Sequence, residues 1–117
     1  MAIEARGTRI ETDEEGYLAD RTQWNKDVAV ALAHDEQIDM SETHWGLIDY
    51  VRQCYAENQI HPRMHMLVKN LGKVSGKTFH EEKGYVNYLY QLFPNDPIRQ
   101  LCKIAGLPKP LPTEHDG

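Results

Sequence analysis

The chain has 117 residues, enough for one domain with a modest core and too few for a multi-domain enzyme. Its 13 Lys+Arg against 18 Asp+Glu give a formal charge of -5, which weighs against a dedicated nucleic-acid binder. That figure averages unlike halves: residues 1–60 hold 5 basic and 13 acidic side chains (a balance of -8), and residues 61–117 hold 8 and 5 (a balance of +3).

Taken in chain order, Thr8, Ile10 and Thr12 alternate with charged residues and run into the acidic turn Asp13–Gly16, followed by Tyr17 and Leu18. This pattern predicts a short β-hairpin over residues 8–19, which must pack on something helical to persist. Asp20 or Thr22 can cap a first helix whose Trp24, Val28, Ala31 and Leu32 share one face, fading by His34–Gln37. Ser41 is the next N-cap. It opens SETHWGLIDYVRQCYAEN, where Trp45, Ile48, Val51 and Tyr55 form a stripe with Leu47 and Cys54 beside it. Pro62 can open a third helix with Met64, Leu67, Val68 and Leu71 inward, closed by Gly72 or Gly76. Residues 74–83 read as a polar connector. A fourth helix spans roughly Glu82–Phe93, with Tyr85, Tyr88, Leu89 and Leu92 inward, and Pro94 stops it. Pro97 opens a fifth, with Ile98, Leu101 and Ile104 apolar and Gly106 at its C′ position.

The expected fold is therefore α+β and mainly helical: a small N-terminal hairpin packed on a five-helix body. One domain covers residues 1–117, divided into a hairpin and first helix (1–40), a helical body (41–105) and a flexible, proline-containing arm (106–117). No run approaches the ~18 apolar residues of a membrane span. The acidic N-terminus has no apolar core of a signal peptide, so the expected compartment is the cytoplasm, with Cys54 and Cys102 as reduced thiols.

Most chemical motifs are absent. His61 and His65 stand four apart, but Pro62 breaks the shared helix face and two histidines do not close a zinc site, so no metal is predicted. Gly72, Gly76 and Gly84 lack phosphate-loop spacing, and no serine sits in a G-x-S-x-G context. No independent catalysis and no cofactor are expected.

Two segments remain. NYLYQLFP (87–94) and CKIAGLPKP (102–110) resemble the DsrC/TusE family closely. So do GYLAD (16–20), the Trp24-Asn25 pair, HW-x-x-I-x-x-V-R-x-x-Y (44–55) and LVKN-x-GK (67–73). This is a family of sulfur-relay proteins that includes the gamma subunit of dissimilatory sulfite reductase. The resemblance spans roughly residues 8–110 and implies a helix-turn-helix-like arrangement in the body and a mobile arm. It also implies partners: sulfur-transfer proteins of the DsrEFH/TusBCD type, a sulfite reductase, or a heterodisulfide-reductase-like complex.

The resemblance further implies two arm thiols eleven residues apart, the second taking up and passing the sulfur. Cys102 stands at the first position, but counting eleven onward reaches Thr113. The expectation is a replaced residue in a full-length tail, not a shortened arm. A threonine hydroxyl forms neither persulfide nor disulfide, so a two-thiol cycle cannot run within one chain. Cys102 then has two readings. It is a single persulfide or mixed-disulfide carrier, its thiolate favoured by Arg99 and Lys103, or it is a packed core thiol in a protein that docks and regulates. Cys54, beside an apolar stripe, reads as a packing thiol. Finally, Arg63, Lys69, Lys73 and Lys77 form a basic segment. It suits docking to an acidic protein or, through a helix-turn-helix-like body, to DNA in a regulator of sulfur-metabolism genes.

Overall fold

The structure, a computed structural model, describes residues 1–110. Strands β1 (Ala2–Ala5) and β2 (Thr8–Glu11) form an antiparallel ribbon. Helices α1 (Lys26–Asp35), α2 (Glu42–Asn58), α3 (Met64–Ser75), α4 (Glu82–Leu92) and α5 (Pro97–Ile104) follow. The fold is the expected ribbon on a five-helix body.

The ribbon's pairing differs from the expectation. Thr8–Glu11 pairs upstream with Ala2–Ala5, in the register Ile3 to Ile10 and Ala5 to Thr8. Arg6 and Gly7 both take positive φ (51° and 80°), the two-residue turn whose twist suits paired strands. The acidic turn at Asp13–Gly16 does form, but it closes only an isolated bridge between Thr12 and Leu18. Tyr17 and Leu18 are drawn into the core instead of extending a strand.

Helices α1, α2 and α5 begin where a side chain accepts from one of the free N–H groups, whereas α3 and α4 start without a side-chain cap. Asn25 caps α1 by accepting from Val28 N at 2.9 Å. Asp20 instead caps a short 3-10 turn at Arg21–Gln23, so Trp24 stands before α1 and not on its face. Ser41 caps α2 as its sequence predicts. Its stripe is centred on Leu47, Ile48 and Val51, all fully buried, while Trp45, Cys54 and Tyr55 lie half-exposed at its edges. α3 starts at Met64 and runs to the Gly76 cap, burying Leu67 and Leu71.

His44 at the third position of α2 completes a capping box and also spans the core. Its Nε2 lies 2.9 Å from the Leu92 carbonyl, which can only accept. The proton is therefore on Nε2, and Nδ1 accepts the Ser41 N–H at 3.1 Å. The ring edge packs against fully buried Phe93. Burial lowers the His44 pKa, outweighing the opposing hydrogen bond to Leu92.

The centre of the molecule is α5, which packs against α1, α2 and α4. Asp96 caps it, accepting from Arg99 N at 3.3 Å, and Pro97 occupies its first turn. Gln100 through Leu107 are all buried. The predicted apolar face holds for Leu101 and Ile104, while Ile98 is only half-buried. Lys103 is buried too, its ammonium 2.9 Å from Asp35 and 2.6 Å from Glu36 at the end of α1. Gln100 donates to Glu36 at 2.9 Å and accepts from Asn95 and Asp96 N–H. Burial acts to lower the Lys103 pKa, but the hydrogen bonds and charges of Glu36 and Asp35 leave it raised.

Two outcomes follow from these buried polar groups. Lys103→Ala should cost about 3 kcal/mol in urea unfolding because Glu36 loses its counter-charge, whereas Lys103→Met, which keeps the packed stem, should cost less. His44 binds a proton less readily in the fold than in the unfolded chain, so its stabilising contribution is complete above about pH 6.5 and is lost as pH falls below it. His44→Gln, which can keep the cap, should remove that part of the pH slope in denaturant midpoints.

Candidate functional site at Cys102 and the root of the arm

Cys102 lies in the last turn of α5 and is 0% exposed. Burial pushes its thiol up to about 12, with the charge of Asp96 adding in the same direction. The two flanking cations do not act on it in the opposite sense. Lys103 is committed to Asp35 and Glu36, and Arg99 Nη2 lies 2.9 Å from Glu15. The sequence places these three residues together correctly, but the fold directs both cations to carboxylates.

The last carbonyls of α5 show how the arm leaves the body. Leu101 O accepts from Ala105 N at 2.9 Å, Lys103 O from Gly106 N at 3.1 Å, and Cys102 O from Leu107 N at 3.0 Å. The last two are the paired bonds of a Schellman cap, and Gly106 takes the required left-handed φ of 73°. Two side chains finish the set. Trp24 Nε1 donates to Ile104 O at 2.9 Å, and Arg52 Nη1 donates to Ala105 O at 2.7 Å. The Arg52 guanidinium also stacks 3.7 Å above the Trp24 ring. A side chain at position 106 would collide with that ring, so glycine is required twice over.

Beyond the cap, Pro108 O lies 3.0 Å from His61 Nε2, whose ring packs edge-on against Tyr55. Lys109 Nζ pairs with Glu15. Residues 105–109 are thus held at three places by side chains from distant parts of the chain. Of the arm expected at residues 106–117, positions 111–117, Thr113 included, lie outside the described residues.

The basic segment is placed elsewhere. Arg63 sits at the N-cap of α3, Lys69 and Lys73 are exposed along that helix, and Lys77 follows it. Among the described residues none of the four pairs with a carboxylate, but Lys77 lies over the Tyr88 ring at 4.7 Å from its centroid. An open cleft of about 560 Å³ beside Lys69 is lined by His65, His80 and Tyr85. Among the described residues no cluster of three His, Cys, Asp or Glu could hold a metal, and no helix is long and apolar enough to cross a membrane.

Sequence reasoning missed Glu15, Trp24, Arg52 and His61 as determinants of this site. Three of them fall within or beside segments singled out above: Glu15 precedes GYLAD, Trp24 follows it, and Arg52 is the arginine of the 44–55 pattern. Spacing alone gave no sign that they converge on residues 104–109.

The sequence and the fold match one family. The family model described as "DsrC like protein" matches residues 4–112, and the chain belongs to that family. The sulfurtransferase TusE of Salmonella paratyphi A is 48% identical over 105 residues, covering 90% of this chain and 93% of its own. That of Escherichia coli K12 is 47% identical over the same shares. Among solved structures, DsrC of Allochromatium vinosum superposes with a TM-score of 0.78 at 43% identity. The oxidised gamma-subunit of the dissimilatory sulfite reductase from Archaeoglobus fulgidus gives 0.81 at 35%. Both superpositions cover 97% of this chain and 99% of the other.

The sealed thiol makes a direct prediction. With a thiol reagent at mildly alkaline pH, half-exposed Cys54 should be modified well before Cys102 in the folded chain, and both at comparable rates in denaturant. Peptide mass spectrometry after timed alkylation reads both sites at once.

Proposed function

We propose that this chain works in a cytoplasmic sulfur relay as a docking or regulatory partner that, in its resting fold, does not itself carry the sulfur. Membership in the family and the TusE relatives support the relay. The sealed Cys102, in a chain with threonine at position 113, supports the non-carrying role. To accept sulfur, a thiolate must attack the outer sulfur of a partner's persulfide. A new S–S bond then forms on the acceptor, and the partner's own S–S bond breaks to leave its thiolate. A thiol at about 12 has a thiolate fraction on the order of 10⁻⁵ at neutral pH, and no partner sulfur reaches a fully buried atom.

Docking draws on the four exposed cations of the α3 region, Arg63, Lys69, Lys73 and Lys77. They suit an acidic surface on a sulfur-transfer complex of the DsrEFH/TusBCD type, on a sulfite reductase or on a heterodisulfide-reductase-like complex. The same cations would be the phosphate contacts of a DNA-binding regulator. The turning of Lys77 onto the Tyr88 ring favours a protein surface over a phosphate backbone.

The test is intact-mass measurement after exposure to a sulfurtransferase persulfide. The wild-type chain should gain no sulfur while Thr113→Cys gains it. The wild-type chain should also compete with a two-thiol relative for the transfer partner. Sulfur accumulating on wild-type Cys102 would overturn the non-carrying role. Salt-dependent shifting of promoter DNA at low ionic strength would revive the regulator reading.

A further inference from the structure

The acidic loop at residues 13–17 lies across the helix that holds Cys102. Asp13 Oδ1 organises it, accepting from Glu15 N at 2.8 Å and Tyr17 N at 3.0 Å. Tyr17 is 3% exposed, and its hydroxyl donates to Arg99 O at 3.3 Å. Gly16, at a positive φ of 93°, sits so close to the Lys103 side-chain end that an added Cβ would displace it. The loop therefore meets α5 three residues before Cys102 and one residue after it.

Glu15 then joins two things that are otherwise separate. One carboxylate oxygen accepts from Arg99 on α5 at 2.9 Å, and the other pairs with Lys109 on the arm. All three side chains are about half-exposed (39% for Glu15, 53% for Arg99 and 46% for Lys109), so these bonds are open to competition by solvent, salt or a partner.

We propose that the Asp13–Tyr17 loop is a lid over Cys102, latched to the arm through Glu15 and Lys109, so that drawing the arm away releases the lid and opens the thiol. The partner chemistry that would do this is an acidic surface that takes Lys109 from Glu15. Burial holds the Tyr17 phenol up at about 12 against the pull of the Arg99 guanidinium, and the Cys102 side chain adds in the raising direction, which agrees with the two groups being neighbours.

The inference concerns access to the thiol and stands apart from the sulfur-relay reading, so its test uses no sulfur donor. Cys102 is labelled in the folded full chain with a small thiol reagent and followed by peptide mass spectrometry, with Cys54 as internal control. Glu15→Gln and Lys109→Gln should each raise the Cys102 rate roughly 1.5-fold to fivefold, the range expected for losing exposed ion pairs. Cys54 should be unaffected. Added salt should speed Cys102 labelling in the wild type and do little in Glu15→Gln. Glu11→Gln, which removes the exposed pair with Arg9 at 2.9 Å, should change nothing. An unchanged Cys102 rate in either latch variant would overturn the proposal. So would a rise fully matched by a lower urea midpoint, because the thiol would then open by global unfolding.

Discussion

An eight-residue helix buried along most of its length leaves most of its polar groups nowhere to go except to other protein atoms. α5 is that helix, and much of the surrounding structure serves to satisfy it. Its N-terminus is closed by Asp96, and the preceding N–H groups by Gln100. Its C-terminal carbonyls are closed by the Gly106 cap and by Trp24 and Arg52. Its one buried ammonium is closed by Asp35 and Glu36. Among the described residues no buried side-chain nitrogen or oxygen is left without a partner. Trp24, Asp35 with Glu36, and Arg52 come from different stretches of chain, so the helix ties the segment before α1, the end of α1 and α2 into one body.

The charge asymmetry of the two halves follows from the same arrangement. The acidic half supplies Glu15, Asp35 and Glu36, and the basic half supplies Arg99, Lys103 and Lys109. These six meet across α5 and the arm's root. Part of the polarity seen along the sequence is therefore neutralised in space. Of the basic half, the exposed cations that pair with no carboxylate among the described residues lie around α3 and in the first turn of α4, in Arg63, Lys69, Lys73, Lys77 and Lys83, which narrows the surface available for an acidic partner.

The position of Cys102 links this architecture to chemistry. Among the cations that flank it in sequence, neither is free to favour its thiolate, because each has a carboxylate within hydrogen-bond distance. Desolvation then dominates and the thiol stays protonated. The arm leaves four residues after Cys102, at the Gly106 cap, and is held back along the body by His61 and Glu15. Thiol, lid and arm are thus mechanically adjacent, although only the thiol and the arm are adjacent in the chain.

The sequence by itself determined the helices, their order and most of their ends, because caps and 3.6-residue periodicity are local. Ser41, Pro97 and Gly106 act where their chemistry requires. It also identified the family, through words of consecutive residues that need no fold to be read. The ribbon's pairing was not legible in the same way: two turns compete for β2, and burial of Tyr17 and Leu18 decides between them. Nor was the state of Cys102. A list of neighbours in sequence puts two cations beside it, but Coulomb interactions and desolvation depend on distances in space, where Glu15, Asp35 and Glu36 lie more than sixty residues from Arg99 and Lys103 along the chain. Only tertiary packing could set those distances, and with them whether the thiol is exposed or sealed.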